Sequence, residues 1–307
     1  MNNFPRFIFV GGAGRSGTTL VQKLLLSHPQ VDGGAEFFFT KDILQLHKNM
    51  YESSVRANMS QYYTEEQLKN RIIEFYQSFF QNFSNPSIKF ISEKTPSNIE
   101  VADLLLDLFE DAIFINVYRD GRAVVNSHLQ VKQRGKTQGK NLTEIGSKRT
   151  SRYWSNCIQL AGKTRNNHPQ RFFDLKYEDL LDDPMSSFKE IFDYLGLEGH
   201  DVLKDPEKMA QDKADNKVHI NEIWYTKEMY EKGIDKSRLE LWKKEMSSWS
   251  ILISNSVMYK ELRSLGYPIS SLYSPFYTLF DFLSNWKERV KDWWLIKPFV
   301  LLKRKLI

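Results

Sequence analysis

The stretch Phe7-Ile8-Phe9-Val10-Gly11-Gly12-Ala13-Gly14-Arg15-Ser16-Gly17-Thr18-Thr19-Leu20 constrains this chain more than any other. The apolar run Phe7–Val10 predicts a buried strand, the glycines a turn, and the residues from Thr18 to Leu26 a helix. Glycine lets the backbone curl until amides face one point, and the following helix adds its positive end. Ser16, Thr18 and Thr19 contribute hydroxyl donors, and Arg15 a guanidinium. Such a turn is a cradle for an anion, most often phosphate.

Beyond the turn, residues 41–83 carry apolar positions such as Leu68, Ile72, Phe75 and Phe79 at helical spacing. Ile88–Ile91 reads as a short strand, followed by Ser92-Glu93-Lys94-Thr95-Pro96 and a helix capped by Ser97. Ala112–Tyr118 is the clearest buried strand and ends at Arg119-Asp120-Gly121-Arg122, with a helix after it. Residues Val131 to Lys148 are polar, basic and glycine-containing, and read as a mobile loop. A helix over Ser151–Asn166 then leads to a strand over Arg171–Lys176. Strands alternating with helices predict an α/β fold, a three-layer sandwich with a central parallel sheet and a P-loop-like phosphate-binding turn.

Two known patterns overlap the turn. Gly12 to Thr19 has Walker A spacing, but Thr18 stands where that loop carries lysine. A nucleotide triphosphatase also needs a strand-end aspartate for Mg²⁺, and here the best strand ends at Arg119. The site is therefore expected to hold its anion with arginine and hydroxyls and without a metal. Gly12, Gly14 and Gly17 also have dinucleotide-binding spacing, with Asp32 about 20 residues beyond. That NAD-type reading needs a second strand reaching Asp32. The approach Ser27-His28-Pro29-Gln30-Val31 is short and broken by proline, so it ranks second.

The 307 residues include 21 Phe, 14 Tyr and 7 Trp, ample for a sizeable core. A single cysteine, Cys157, excludes an intrachain disulfide and a cysteine metal site, and reads as buried filler. The first core strand begins within a few residues of Met1, no signal peptide is visible, and no apolar run reaches roughly 18 residues. A cytoplasmic protein is the expectation. Of the net charge of +5, four charges come from residues 268–307, where seven lysines and arginines face three acids. The body is close to neutral, which argues against a nucleic-acid partner.

Arg119 and Ser127 place a guanidinium at a strand end and a hydroxyl about two helical turns later, within reach of one further phosphate. A surface ion pair with Asp120 would also account for Arg119. Taken together, the motifs resemble the sulfotransferase family that uses 3′-phosphoadenosine 5′-phosphosulfate (PAPS). Gly14–Thr19 resembles its 5′-phosphosulfate loop, and Arg119-Asp120-Gly121-Arg122-Ala123-Val124-Val125-Asn126-Ser127 its 3′-phosphate motif. Lys176-Tyr177-Glu178-Asp179-Leu180 matches a further recurring segment, and the resemblance spans roughly residues 7–266.

Within that family the chain is similar to the protein-tyrosine sulfotransferase-like branch, through His28-Pro29, Gly34-Ala35-Glu36 and Glu93-Lys94-Thr95-Pro96. The resemblance implies Glu36 as catalytic base and Lys94 as catalytic lysine. It implies that Arg15, Ser16, Gly17, Thr18, Thr19, Arg119, Ser127 and Tyr177 hold PAPS, with help for Lys94 from Ser127 or Thr18. Two departures stand out: Ala35 replaces the first acid of a pair, and Phe38 an arginine. The acceptor stays open between a peptidyl tyrosine and a glycan hydroxyl. Ser237 and Trp242-Lys243-Lys244 resemble a late nucleotide-contacting segment, with one residue too many between them. A nucleotide-binding module without catalysis is the competing class, and it would need neither Glu36 nor Lys94.

Residues 1–267 thus read as a sulfotransferase domain and 268–307 as a basic aromatic appendage. Its aromatics, among them Phe276, Phe280, Trp286, Trp293 and Trp294, interleave with cations. Such a segment reads as lying on an anionic membrane surface. A helix packed on the body or an oligomer contact is the alternative.

Overall fold

Successive side chains of a strand face opposite sides of a sheet, and β1 (Arg6–Gly11) uses both faces. In the computed structural model, which describes residues 4–56, 59–198, 223–224, 234–275 and 278–279, Phe7 and Phe9 enter one core and Ile8 and Val10 the other. Such a strand must lie mid-sheet with helices on both sides.

It does. Five parallel strands run in the order β2 (Val31–Gly33), β3 (Phe90–Lys94), β1, β4 (Ile113–Tyr118), β5 (Phe172–Lys176). One face is covered by α1 (Thr18–Leu26), α7 (Tyr177–Asp182) and α8 (Pro184–Leu195), packed on Ile8, Val10, Ile113, Ile115 and Val117. The other face carries α2 (Thr40–Arg56), α3 (Glu65–Ser78), α4 (Ala102–Leu108), α5 (Gly121–Thr137) and α6 (Ser147–Asn167). Beneath α3 the rings of Phe7, Phe9, Tyr76 and Phe109 lie 5.2–6.1 Å apart, and the Phe80 ring joins them at 5.2–5.3 Å from Phe7 and Tyr76. This is the three-layer sandwich that the alternating pattern predicts.

Several boundaries differ from expectation for identifiable reasons. The helical stretch after residue 40 is two helices, because Thr64 and Gln67 form a reciprocal capping box that starts α3. Strand β3 begins two residues later than the apolar run and continues through Glu93 and Lys94, held by the pairing of Val10 with Lys94. The register thus puts both charged residues on a fully buried strand. Ser97 caps no helix. A 3₁₀ turn over Pro96–Val101 precedes α4, and the Thr95 hydroxyl before it donates to Glu93 at 2.6 Å.

The expected mobile loop at 131–148 is mostly helix. Val131 is fully buried against Ile145, and Lys132 donates to the Ile145 carbonyl at 2.7 Å. A Cβ on Gly135 would meet Leu142 at 2.8 Å, so glycine inside α5 lets the returning chain close onto the helix. Polarity misleads here because the segment's apolar anchors are only a few residues. Asp32 lies on β2, which pairs with β3 rather than with β1. A dinucleotide fold would place that acid on the strand beside the glycine turn. Most of the basic aromatic appendage, including Phe276 and the tryptophans, lies outside the described residues. Among the described residues, no helix is long and apolar enough to cross a membrane.

Candidate active site

The candidate residues gather at one edge of the sheet. Arg15 to Thr19 follow β1, Lys94 closes β3, Arg119 follows β4, and Tyr177 opens α7 directly after β5. In an open parallel sheet, the crevice outside the C-terminal strand ends is where ligands bind.

Three residues of the turn have left-handed backbone: Gly12 at φ 144°, Arg15 at 75° and Gly17 at 102°. A Cβ on Gly12 would lie 2.2 Å from the Val117 carbonyl oxygen, and one on Gly17 2.3 Å from the Tyr177 ring. Glycine therefore lets the turn close against β4 and against Tyr177. Arg15 carries a side chain at a φ that disfavours one, a strain common in binding loops. The protein itself engages three of the turn's amides. Gly12 donates to the Pro96 carbonyl at 3.0 Å, Gly14 to the Tyr153 hydroxyl at 3.1 Å, and Ser16 to the Ala13 carbonyl at 3.1 Å. The anion cradle is thus narrower than the glycine pattern suggests, and centres on the amides that open α1.

A cavity of about 310 Å³ lies in front of that helix end. Arg15, Lys23, Arg119, Arg134 and Arg238 line it against only two acids, Asp235 and Glu245. Asp235 pairs with Arg238 at 3.1 Å, and Glu245 accepts from Asn126 at 2.6 Å. Arg15 Nε donates to Ser127 Oγ at 3.0 Å, bringing the two sequence motifs into contact. Arg119 is 7% exposed, stacks 4.8 Å over the Tyr177 ring, and donates to the Arg238 carbonyl at 2.7 Å. Burial pushes its guanidinium below the ordinary arginine pKa, with Tyr177, Glu178 and Asp120 opposing the shift.

Asp120 does not pair with Arg119. It binds Arg122 at 2.7 Å, and Arg122 in turn stacks on Trp242 at 4.3 Å and donates to the Pro268 carbonyl. Ser16 Oγ, Arg119 Nε and Arg134 Nη2 are buried without a hydrogen-bond partner among the described residues. Buried donors of that kind are costly unless an acceptor arrives. A bisphosphate supplies such acceptors, so the residues fit PAPS.

A second cavity, of about 450 Å³, opens on the other side of Arg15, which lines both. Lys94, 3% exposed, bridges them. Its ammonium meets Glu36 Oε1 at 2.5 Å and lies 3.4 Å from Thr19 Oγ1. Thr19 lines the first cavity, whereas Thr18 is buried and lines neither. The hydroxyl beside Lys94 is thus that of Thr19, and Ser127 is engaged by Arg15.

Beneath this pair lies Glu93, wholly buried. It accepts from Thr95, from Asn98 and, at 3.2 Å, from the Phe37 amide, tying the Glu36 loop to β3. Burial pushes its carboxyl up to about 7, opposed by those three donors and by Lys94. Two buried groups behave as plain structure. Cys157 is 1% exposed with its thiol pushed up to about 12 by burial, and His128 donates from Nδ1 to the Val124 carbonyl at 3.0 Å. Burial lowers His128 to about 4, so its ring is neutral beside Arg15.

Several lining residues have no counterpart in the motifs. Ala123, Asn126, Ser127, Gln130 and Arg134 form one stripe of α5 at helical spacing. Extending the stripe beyond Ser127 would have found Gln130 and Arg134, had the helix been recognised past residue 130. From the late segment, Arg238, Leu241 and Glu245 face the cavity. Ser237 instead bonds Asp235, and Lys243 pairs with Glu240. Tyr153 and Trp224 line the second cavity from sequence-distant places. No group of three or more potential metal-ligating side chains occurs among the described residues.

The family model described as "Sulfotransferase family" matches residues 5–201. The chain is 24% identical over 238 residues to a protein-tyrosine sulfotransferase of Drosophila melanogaster, covering 76% of this chain and 46% of that protein. It is 28% identical over 211 residues to protein-tyrosine sulfotransferase A of Caenorhabditis elegans, covering 68% and 54%. The chain thus spans about half the length of these curated relatives. Among solved structures it is similar to the sulfotransferase domain from the curacin biosynthetic pathway, with a TM-score of 0.55 at 18% identity, over 87% of this chain and 99% of that domain. That likeness is one of fold. With the profile covering the sheet, the glycine turn and both arginine motifs, the chain belongs to the sulfotransferase family.

Proposed function

We propose that this protein moves the sulfo group of PAPS to a hydroxyl acceptor, with Glu36 as base. The observation that carries the reading is the position of Lys94. It touches Thr19 of the cationic cavity and Glu36 of the second cavity, so one buried cation stands where the two chambers meet. The names of the relatives support the same reading, and a phenol such as tyrosine is the acceptor they suggest.

In this reading Arg15, Ser16, Gly17, Thr18 and Thr19 hold the 5′ end of the nucleotide. Arg119 and Ser127 hold its 3′-phosphate, and Tyr177 backs Arg119. Bound there, PAPS supplies an activated sulfo group, and transfer forms one S–O bond to the acceptor while breaking the one to the 5′-phosphate. Glu36 takes the acceptor's proton, a contribution of about 10²–10⁴ in rate for a placed general base. Lys94, assisted by Thr19, neutralises the charge left on the departing phosphate oxygen, and its burial makes that interaction stronger than in water. A phenol, with a pKa of about 10, needs less help from the base than an alkyl hydroxyl does. Residues 1–267 form the catalytic unit, and 268–307 an appendage for an anionic membrane surface in the cytoplasm.

The test follows labelled sulfur from PAPS to a panel of tyrosine peptides, glycans and simple phenols. Formation of a labelled sulfate ester, lost in Glu36→Gln while 3′,5′-adenosine bisphosphate still binds, is the expected result. Bisphosphate binding with no transfer to any acceptor would make the protein a nucleotide-binding module instead.

A further inference from the structure

The chemistry of the second cavity narrows the acceptor. Its two cations are both engaged within the protein, Lys94 by Glu36 and Arg15 by Ser127. Apart from these and Glu36, the wall includes Ala35, Phe38, Pro96, Tyr153 and Trp224. Phe38 is 69% exposed at the lip, and its neighbour Phe39 is 64% exposed. From there the rings continue outward, with Phe37 lying 5.9 Å from Phe39 and 5.2 Å from Phe79, and Phe79 5.0 Å from Phe75. Phe75 and Phe79 are each nearly half exposed.

Large rings left in water along one ridge mark a contact surface. A site intended for acidic groups would instead present cations not already paired. The volume of about 450 Å³ is that of a small-molecule site.

We infer that the acceptor is an uncharged phenol on a small apolar, aromatic body, seated between Phe38, Pro96 and Trp224 with its hydroxyl at Glu36. An acidic tyrosine peptide is disfavoured. The inference rests on the sulfotransferase reading above, because it takes Glu36 as the base that receives the hydroxyl. Phe38 acts as a specificity residue. It stacks on the acceptor's ring and offers nothing to a carboxylate.

The experiment uses the full chain with 2-naphthol and with a tyrosine peptide flanked by glutamates. Binding of each to the enzyme loaded with 3′,5′-adenosine bisphosphate is measured by tryptophan fluorescence, and kcat/KM of each is measured with PAPS. The expected result is a kcat/KM at least tenfold higher for 2-naphthol. Phe38→Arg should raise the KM for 2-naphthol about tenfold and lower that for the acidic peptide, and since Phe38 is exposed the variant should fold as the wild type does. An acidic peptide used as well as 2-naphthol, or a Phe38→Arg enzyme with unchanged preference, would overturn the inference and leave the sulfotransferase reading standing. If 2-naphthol binds the loaded enzyme more tightly than the peptide but neither is sulfated, the site preference holds and the proposed reaction fails. Failure of 2-naphthol to bind overturns the inference outright.

Discussion

Arg15 Nε donates to Ser127 Oγ at 3.0 Å across 112 residues of sequence. The turn after β1 and the helix after β4 are thereby joined at the wall of the cationic cavity. Ser127 fixes a guanidinium that would otherwise sweep several rotamers, so each phosphate contact of Arg15 is partly organised in advance. Ser127→Ala should weaken 3′,5′-adenosine bisphosphate binding by about 1 kcal/mol, or roughly fivefold, the usual net worth of one hydrogen bond. Thermal unfolding should shift little. Unchanged affinity would show that Arg15 is placed by the backbone alone.

Gly17 is the position where the turn tolerates least. Its φ of 102° opposes any side chain, and so does the Tyr177 ring, 2.3 Å from where a Cβ would lie. Gly17→Ala should cost about 1–3 kcal/mol in backbone strain and displace Tyr177 from Arg119. Bisphosphate affinity should then fall at least tenfold, measured beside Gly146→Ala, where nothing lies within 4 Å.

The Glu36–Lys94 pair separates chemistry from binding. Glu36→Gln keeps the shape and removes the base, so single-turnover transfer from PAPS should slow by about 10²–10⁴. Bisphosphate affinity should stay within about twofold, because Glu36 lines only the second cavity. Lys94→Ala should slow transfer as well, and also leaves the Glu36 carboxylate without its partner.

Stability against pH should reveal two buried groups of opposite sign. His128 is lowered from 6.5 to about 4 by burial. Its contribution is present above 6.5 and is lost as pH falls toward 4, because the unfolded chain takes up the proton first. Glu93 is raised from 4.5 to about 7, so its contribution is present below 4.5 and is lost as pH rises toward 7. Each amounts to about 3 kcal/mol at most, and in the wild type they offset one another. Urea unfolding of Glu93→Gln should show stability falling from pH 6.5 to 4, while His128→Gln should gain stability from pH 7 down to 4.5. Parallel profiles in the two variants would contradict these assignments.

The sheet is legible in the sequence because its strands are short apolar runs, and the turn because glycine and hydroxyl spacing carries it. The site's two halves are legible only as separate motifs. Nothing local shows that Arg15 reaches Ser127, or that Asp120 binds Arg122 instead of Arg119. Those choices depend on where β4 sits beside β1. The burial of Glu93 comes from the register that pairs Phe9 with Glu93, a tertiary fact with no local signal. Arg134 and Gln130 are hidden because a polar stretch holding one glycine looks like a loop, although Val131 anchors it.

The most direct measurement is calorimetric titration of the purified protein with 3′,5′-adenosine bisphosphate, without added metal, on wild type and Arg119→Ala. Arg119 Nε is a buried donor still awaiting an acceptor among the described residues, so the account predicts saturable binding that Arg119→Ala abolishes. Absence of binding in the wild type, or equal binding in the variant, would contradict it.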